Sequence, residues 1–143
     1  MAIRLTATFL FFLILSFQTS AQSARDFMIG GGFDVIKTDN DKLFDKLQVG
    51  FEANYFVIRE FTATAGIEIW TYRDESFVIG SRWYFMDNLY MRFRGLIGEN
   101  DFSIGAGGAI PLKPNLRLEI VGDFYFEGDF ALRTGLAYII RTR

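Results

Sequence analysis

The residues of this sequence that could do chemistry are arginines and carboxylates placed at alternating positions. Arg92 and Arg94 are separated by one apolar residue, and so are Arg117 and Glu119. Side chains at this spacing lie on one face of a β-strand, where they can form ion pairs or line a path for ions. The positions that share this pattern are Glu52, Glu68, Arg82, Arg92, Arg94, Arg117, Glu119, Asp123 and Arg133.

The composition excludes several other kinds of chemistry. Histidine and cysteine are both absent from the 143 residues, which removes the commonest general base, the usual catalytic triads and thiolate metal sites. Ser81 and Ser103 have no evident base, and no helix follows the glycine-rich segments 30–32 and 105–108, as a phosphate-binding loop would require. We therefore expect no catalytic residue, no cofactor and no metal. The net charge of −2 offers no basic surface for nucleic acid.

Eight segments with a strict two-residue period position these side chains. Apolar and polar residues alternate along each of them, and no helical period competes. The predicted strands are 27–35, 47–57, 61–71, 77–85, 89–97, 102–112, 116–126 and 130–140. Short connections join them, which predicts an antiparallel up-and-down meander with tight turns at one end and longer loops, including 36–46, at the other. Eleven tilted residues at about 3.3 Å each are long enough to cross a bilayer core.

The two rows of each strand differ in a way that predicts lipid outside and charge inside. Every strand charge falls opposite the apolar row, and glycine shares the charged row at positions such as Gly30, Gly50 and Gly105. Glycine on a solvated face weakens a strand, whereas inside a narrow barrel it makes room for long side chains. Aromatic residues of the apolar row cluster at both strand ends, as in the girdles of membrane barrels. The fold class predicted is all-β, an eight-stranded antiparallel up-and-down transmembrane β-barrel.

The N-terminal segment is predicted to be a secretory signal peptide, residues 1–21. Arg4 supplies a positive charge, an apolar run follows, and Thr19, Ser20 and Ala21 offer a small-residue cleavage site. The apolar run is short for a membrane-spanning helix. The barrel domain would then be residues 22–143, exported through the inner membrane to the bacterial outer membrane.

The whole pattern resembles the small eight-stranded outer-membrane barrels typified by outer membrane protein X and the outer membrane protein A transmembrane domain. The last strand is also similar to the assembly signal that the outer-membrane insertion machinery reads: a polar residue, a glycine, and two spaced bulky apolar residues. The matching positions are Arg133, Gly135, Tyr138 and Ile140. Where the family often has a terminal aromatic residue, this chain reads Arg-Thr-Arg. The resemblance implies outer-membrane lipid and the insertion machinery as partners.

The inward charges need partners, because an unpaired buried charge is costly. Arg92 and Arg94 would repel each other, so we expect Glu68 or Glu119 to lie near them. Eight strands leave an interior just wide enough for side chains, which favours a polar plug over an ion path or gate.

The predicted function is that of a small outer-membrane barrel protein with a plugged polar interior. Its role would be structural, or one of surface interaction in the cell envelope, with a possible extracellular ligand at the loops. Two alternatives stay open: a narrow, porin-like channel, and a soluble ligand-binding barrel of the lipocalin kind.

Overall fold

The structure is a computed structural model that describes residues 23–37, 48–70, 75–98 and 101–142. These residues form one closed barrel in which each strand pairs with the next along the chain. The strands are β1 Phe27–Lys37, β2 Gln48–Ile58, β3 Phe61–Trp70, β4 Ser76–Met86, β5 Leu89–Ile97, β6 Asp101–Pro111, β7 Leu116–Tyr125 and β8 Phe130–Ile140. The predicted all-β fold of eight antiparallel, up-and-down strands is confirmed. These ranges contain no helix long and apolar enough to cross a membrane.

Barrel closure comes from the pairing of β8 with β1. Phe27 lies opposite Ile140, and Gly31 lies opposite Leu136. The antiparallel ladder then passes a bulge between Asp34 and Ile36 and continues to the end of β1. Because both terminal strands find a partner, the described part of the sheet has no free edge strand.

The predicted strand boundaries differ little from the observed ones. The bounds of β5 and β8 are as predicted, whereas β1 continues to Lys37 instead of ending at residue 35. The cause is the bulge in the β1–β8 ladder, which lets Ile36 and Lys37 pair with Leu132 and Ala131. Most of the predicted 36–46 loop, and the predicted signal peptide 1–21, lie outside the described residues.

The connections lie at two ends, here called the short-turn end and the loop end. The short-turn end carries connections 59–60, 87–88 and 112–115, and the loop end carries 38–47, 71–75, 98–100 and 126–129. Gly98 and Gly128 have positive φ, at 118° and 107°, the left-handed conformation that favours glycine at a turn. By number of residues, the connections 38–47 and 71–75 are longer than those of the short-turn end, as predicted, whereas 98–100 and 126–129 have three and four residues, within the two to four of the opposite end.

The alternation of side chains orients the two rows as the sequence predicts. The outward row is apolar and exposed, with Ile120 at 45% and Ile79 at 60% exposure near mid-strand. The ionised row is buried: Asp34, Glu52, Glu68, Arg82, Arg92, Arg94, Arg117, Glu119, Asp123 and Arg133.

The barrel interior is built in three layers. At the short-turn end, apolar and aromatic side chains form a cluster that includes Met28, Phe56, Tyr84, Tyr90 and Ile139. At the loop end, a second cluster comprises Val78, Leu96, Tyr125 and Ala131, with Trp70 packed against it. The ionised side chains lie mainly between these two clusters, where they are separated from bulk water.

Candidate functional site: the interior ion network

The interior charges meet across the barrel rather than along single strands. Acids come from β1, β2, β3 and β7, and arginines come from β4, β5 and β8. We use the name interior ion network for the ion-paired set: Asp34, Glu52, Glu68, Arg82, Arg92, Arg94, Glu119, Asp123 and Arg133.

Arg82 of β4 joins acids from two other strands. One of its terminal nitrogens donates to both carboxylate oxygens of Glu119 at 3.0 Å, and the other donates to Glu52 at 2.7 Å. All three side chains are buried. The guanidinium therefore links β2 and β7 through the middle of the barrel, and charge-assisted bonds of this kind are the stronger class.

Arg92 and Arg94 of β5 share acids instead of facing each other unscreened. Arg92 binds both oxygens of Asp123, with Nε at 2.8 Å from one of them, and Arg94 also reaches Asp123 at 3.2 Å. Arg94 donates to Glu68 at 2.6 Å. The structure thus places Glu68 beside this arginine pair, as one of the two predicted options, whereas Glu119 binds Arg82.

Arg133 of β8 binds acids on β1 and β3. Its Nε donates to Asp34 at 2.6 Å, and its terminal nitrogens donate to the two oxygens of Glu68 at 2.5 and 2.8 Å. Gln48 donates to the same Glu68 carboxylate at 2.9 Å. The sequence predicts Arg133 both as an interior charge and as part of an assembly signal, and the structure places it in the ion network.

The other residues of the predicted assembly signal lie along β8. Tyr138 and Ile140 point outward and are exposed. Gly135 faces inward, and a Cβ there would collide with the backbone of Gly31 and Gly32 on β1. The glycine therefore permits the close approach of β8 and β1 at the point where the barrel closes.

Inward glycines provide the space that the charged side chains fill. A Cβ at Gly50 would collide with the ion pair of Arg133 and Glu68, and one at Gly105 would collide with Asp123. In contrast, a Cβ at the outward Gly95 would make only ordinary van der Waals contact, with its nearest neighbour at 3.7 Å. Gly50 and Gly105 thus leave room for ionised side chains, whereas a Cβ at Gly66 or Gly80 would first meet the backbone of the neighbouring strand.

Sequence reasoning did not assign network roles to two other inward residues. Gln48 binds Glu68, and the Tyr125 hydroxyl accepts a hydrogen bond from Arg94 at 3.0 Å. Both lie on the same row as the charges. A search for every polar residue on the inward-facing row would therefore have identified them.

The network leaves little free volume. An interior cavity of about 20 Å³ remains beside Arg82, Arg92, Arg133, Glu52 and Glu119. This is room for about one water molecule. Within the described residues, no three acids are grouped so as to hold a metal ion, and each network carboxylate contacts an arginine.

Arg117 lies apart from this network. It projects inward near the short-turn end and is 5% exposed. Its guanidinium carbon lies 6.0 Å from the centre of the Tyr84 ring, and its Nη1 has no hydrogen-bond partner. Of the nine interior positions predicted from the sequence, it is the one that the structure does not bring into an ion pair.

Ser81 and Ser103 do not form a reaction centre with each other. Ser81 lies on the outward row, with Ala63 and Phe93 as neighbours across the sheet. Ser103 is fully buried inside, and its hydroxyl has no hydrogen-bond partner. Its neighbours across the ladder are Arg94 and Tyr125, and an arginine cannot serve as a base because it stays protonated.

No protein-family model and no curated protein matches the sequence. Among solved structures, the barrel is similar to one described as a de novo designed transmembrane β-barrel, with 20% identity and a TM-score of 0.66 over 83% of this chain and 98% of that one. It is also similar to the solution NMR structure of the de novo designed protein TMB2.3, with 18% identity and a TM-score of 0.61 over 87% of this chain and 99% of that one. At this identity the likeness establishes a shared fold.

Proposed function

We propose that this chain is a small outer-membrane β-barrel protein with a plugged polar interior, of the outer membrane protein X and outer membrane protein A type. Its role is structural, or one of surface interaction in the cell envelope, and it involves no catalysis. The observation that carries the proposal is the orientation of the two rows: the exposed outer wall is apolar, and the ion pairs are buried inside. A soluble barrel would require the reverse arrangement.

The outer wall supports a lipid environment. Exposed aromatic residues ring the short-turn end and the loop end, and some are paired: Phe27 with Tyr55 at 4.9 Å between ring centres, and Phe102 with Phe126 at 5.5 Å. Aliphatic residues such as Ile120 lie between the rings. A continuous apolar belt of this size is unfavourable in water, and aromatic girdles suit the two lipid–water boundaries.

The interior supports a plug rather than a pore. The ion network crosses the lumen, and apolar clusters lie on both sides of it. An ion passing through would have to break several buried ion pairs and displace both clusters. The cavity of about 20 Å³ is too small for a hydrated ion.

Export and insertion complete the proposal. Residues 1–21 would direct the chain across the inner membrane, and the insertion machinery would read Arg133, Gly135, Tyr138 and Ile140 on β8. Tyr138 and Ile140 support this role because they lie exposed at the outer surface. The loop end would face the exterior and offer a surface to an extracellular ligand.

Membrane fractionation combined with a heat-modifiability gel tests the proposal. We expect the full chain to be recovered with outer membranes, and the unheated sample to migrate differently from the heated one. Folded chain in the aqueous fraction without detergent would contradict the membrane assignment and favour the lipocalin-like alternative.

Planar-bilayer recordings test the plug separately. We expect no single-channel conductance from the purified, folded barrel. Discrete conductance steps that are absent from a detergent-only control would favour the narrow channel instead.

A further inference from the structure

The interior ion network leaves one buried arginine without an ion pair. A sixth buried carboxylate, Asp26, accepts hydrogen bonds from Ser23 and Thr142, whereas the five carboxylates of the network are paired with four of the five buried arginines. Arg117 is the fifth. Within the described residues it has no carboxylate at ion-pair distance, and its Nη1 is buried without a partner.

The immediate surroundings of Arg117 do not neutralise it. Glu119 lies two residues further along the same strand but directs both of its oxygens to Arg82. The Tyr84 ring lies 6.0 Å from the guanidinium carbon, at the outer limit of a useful cation–π contact. A permanently charged group at 5% exposure is costly unless an anion accompanies it.

Arg117 lies at an indentation in the short-turn mouth of the barrel. The lining includes Arg117, Asn88, Lys113, Asn115 and Ile139. Backbone hydrogen bonds between Lys113 and Leu116 in both directions, at 3.0 and 3.2 Å, close the turn that carries Lys113. The indentation is therefore lined by a buried arginine and an exposed lysine.

The carboxylate of the neighbouring turn already has an arginine partner. Asp87, in the neighbouring 87–88 turn, accepts a hydrogen bond from Arg59 at 3.0 Å. Within the part of the chain that the structure describes, neither Lys113 nor Arg117 forms an ion pair with a carboxylate.

We propose that the short-turn mouth is an anion site that binds a phosphate group, with Arg117 as the main ligand and Lys113 as the second. The guanidinium fork presents two donors to two phosphate oxygens, and the ammonium supplies a further charge. The phosphate could come from a lipid headgroup or from free phosphate. The site depends only on the barrel, whereas the lipid source rests on the proposed membrane function.

Phosphate titration of the full barrel tests the site. The protein is folded in an uncharged maltoside detergent and titrated with inorganic phosphate, or with chloride at equal ionic strength, while the amide NMR signals of Lys113 and residues 115–117 are followed. We expect phosphate, but not chloride, to move these signals in a saturable way. In a parallel arm, a short-chain phosphatidylglycerol replaces inorganic phosphate.

Substitutions of Arg117 and Lys113 test whether these two side chains bind the phosphate. R117Q should weaken phosphate binding about tenfold or more, and K113Q about threefold. R59Q is the control, because Arg59 is an exposed cation at the same end that already pairs with Asp87, and it should bind as the unmodified chain does. If R117Q fails to give a folded band, K113Q carries the test, since Lys113 lies on an exposed turn.

The outcomes separate the two proposals. Saturable shifts with phosphatidylglycerol alone identify a lipid headgroup, and shifts with inorganic phosphate identify a site open to the free anion. Absence of shifts in both arms, or equal binding by the unmodified chain, R117Q and K113Q, overturns the site. Phosphate binding by a chain that fractionates with the aqueous phase would support the anion site and contradict the proposed membrane function.

Discussion

Arg82 and Glu119 face each other across the barrel from β4 and β7, and one guanidinium nitrogen of Arg82 donates to both carboxylate oxygens at 3.0 Å. Neither strand neighbours the other in the sheet. The pair is therefore a direct bond between opposite walls. Together with the contact of Arg82 to Glu52, it makes the interior a cross-braced structure and not a set of independent strands.

Removal of Arg82 should destabilise the barrel strongly. The change R82Q leaves Glu119 and part of Glu52 buried without their arginine, and we expect a loss of about 3–5 kcal/mol in the free energy of unfolding. Urea unfolding in lipid vesicles, followed by the fraction of heat-modifiable band, measures it. The matched control is R59Q, because the exposed pair of Arg59 and Asp87 should contribute less than about 1 kcal/mol. Equal effects of the two changes would contradict the cross-brace.

Arg94 and Glu68 should be energetically coupled. A double-mutant cycle with R94Q and E68Q is expected to give an interaction energy of about 0.5–3 kcal/mol, because their atoms approach to 2.6 Å inside the barrel. The unfolding free energies of the two single variants and the double variant provide the measurement. Strict additivity would show that the contact does not contribute as the geometry indicates.

Alanine at Gly50 should be harmful, whereas alanine at Gly95 should be tolerated. A Cβ at Gly50 forces the pair of Arg133 and Glu68 to move, and overpacking of this kind costs about 1–3 kcal/mol. Gly95 is also in a strand but faces outward, where a Cβ meets no atom closer than 3.7 Å, so G95A mainly reduces the flexibility of the unfolded chain. Unfolding of both variants in the same vesicles checks the prediction, and a G50A barrel as stable as G95A would refute it.

A lysine at the middle of the outer wall should impair membrane insertion. Ile120 lies near the centre of β7, and I120K is expected to cost about 2–4 kcal/mol if that surface meets lipid. The control L112K places the same charge in the 112–115 turn, near the boundary, where about 0–1 kcal/mol is expected. Folding yields into vesicles compare the two. If I120K folds as well as L112K, the central wall does not lie in hydrocarbon.

The sequence alone determined the strand count, the strand boundaries to within two residues, and which row of each strand carries charge. These features are local, because alternation along one strand fixes which side chains share a face. Ile120 and Glu119, adjacent in the chain, could thus be assigned to opposite sides of the wall without knowledge of any partner.

Only the tertiary structure decided which charges meet. Arg133 binds Asp34, 99 residues away, because closure of β8 on β1 sets their register, and a bulge there extends β1 beyond its predicted end. Glu119 binds Arg82 and not the β5 arginines, since contacts across the lumen depend on the stagger of all eight strands together. The same geometry leaves Arg117 without a carboxylate at ion-pair distance, which no count of charges along the chain could reveal, because pairing across the lumen is decided only when each side chain has been placed in space.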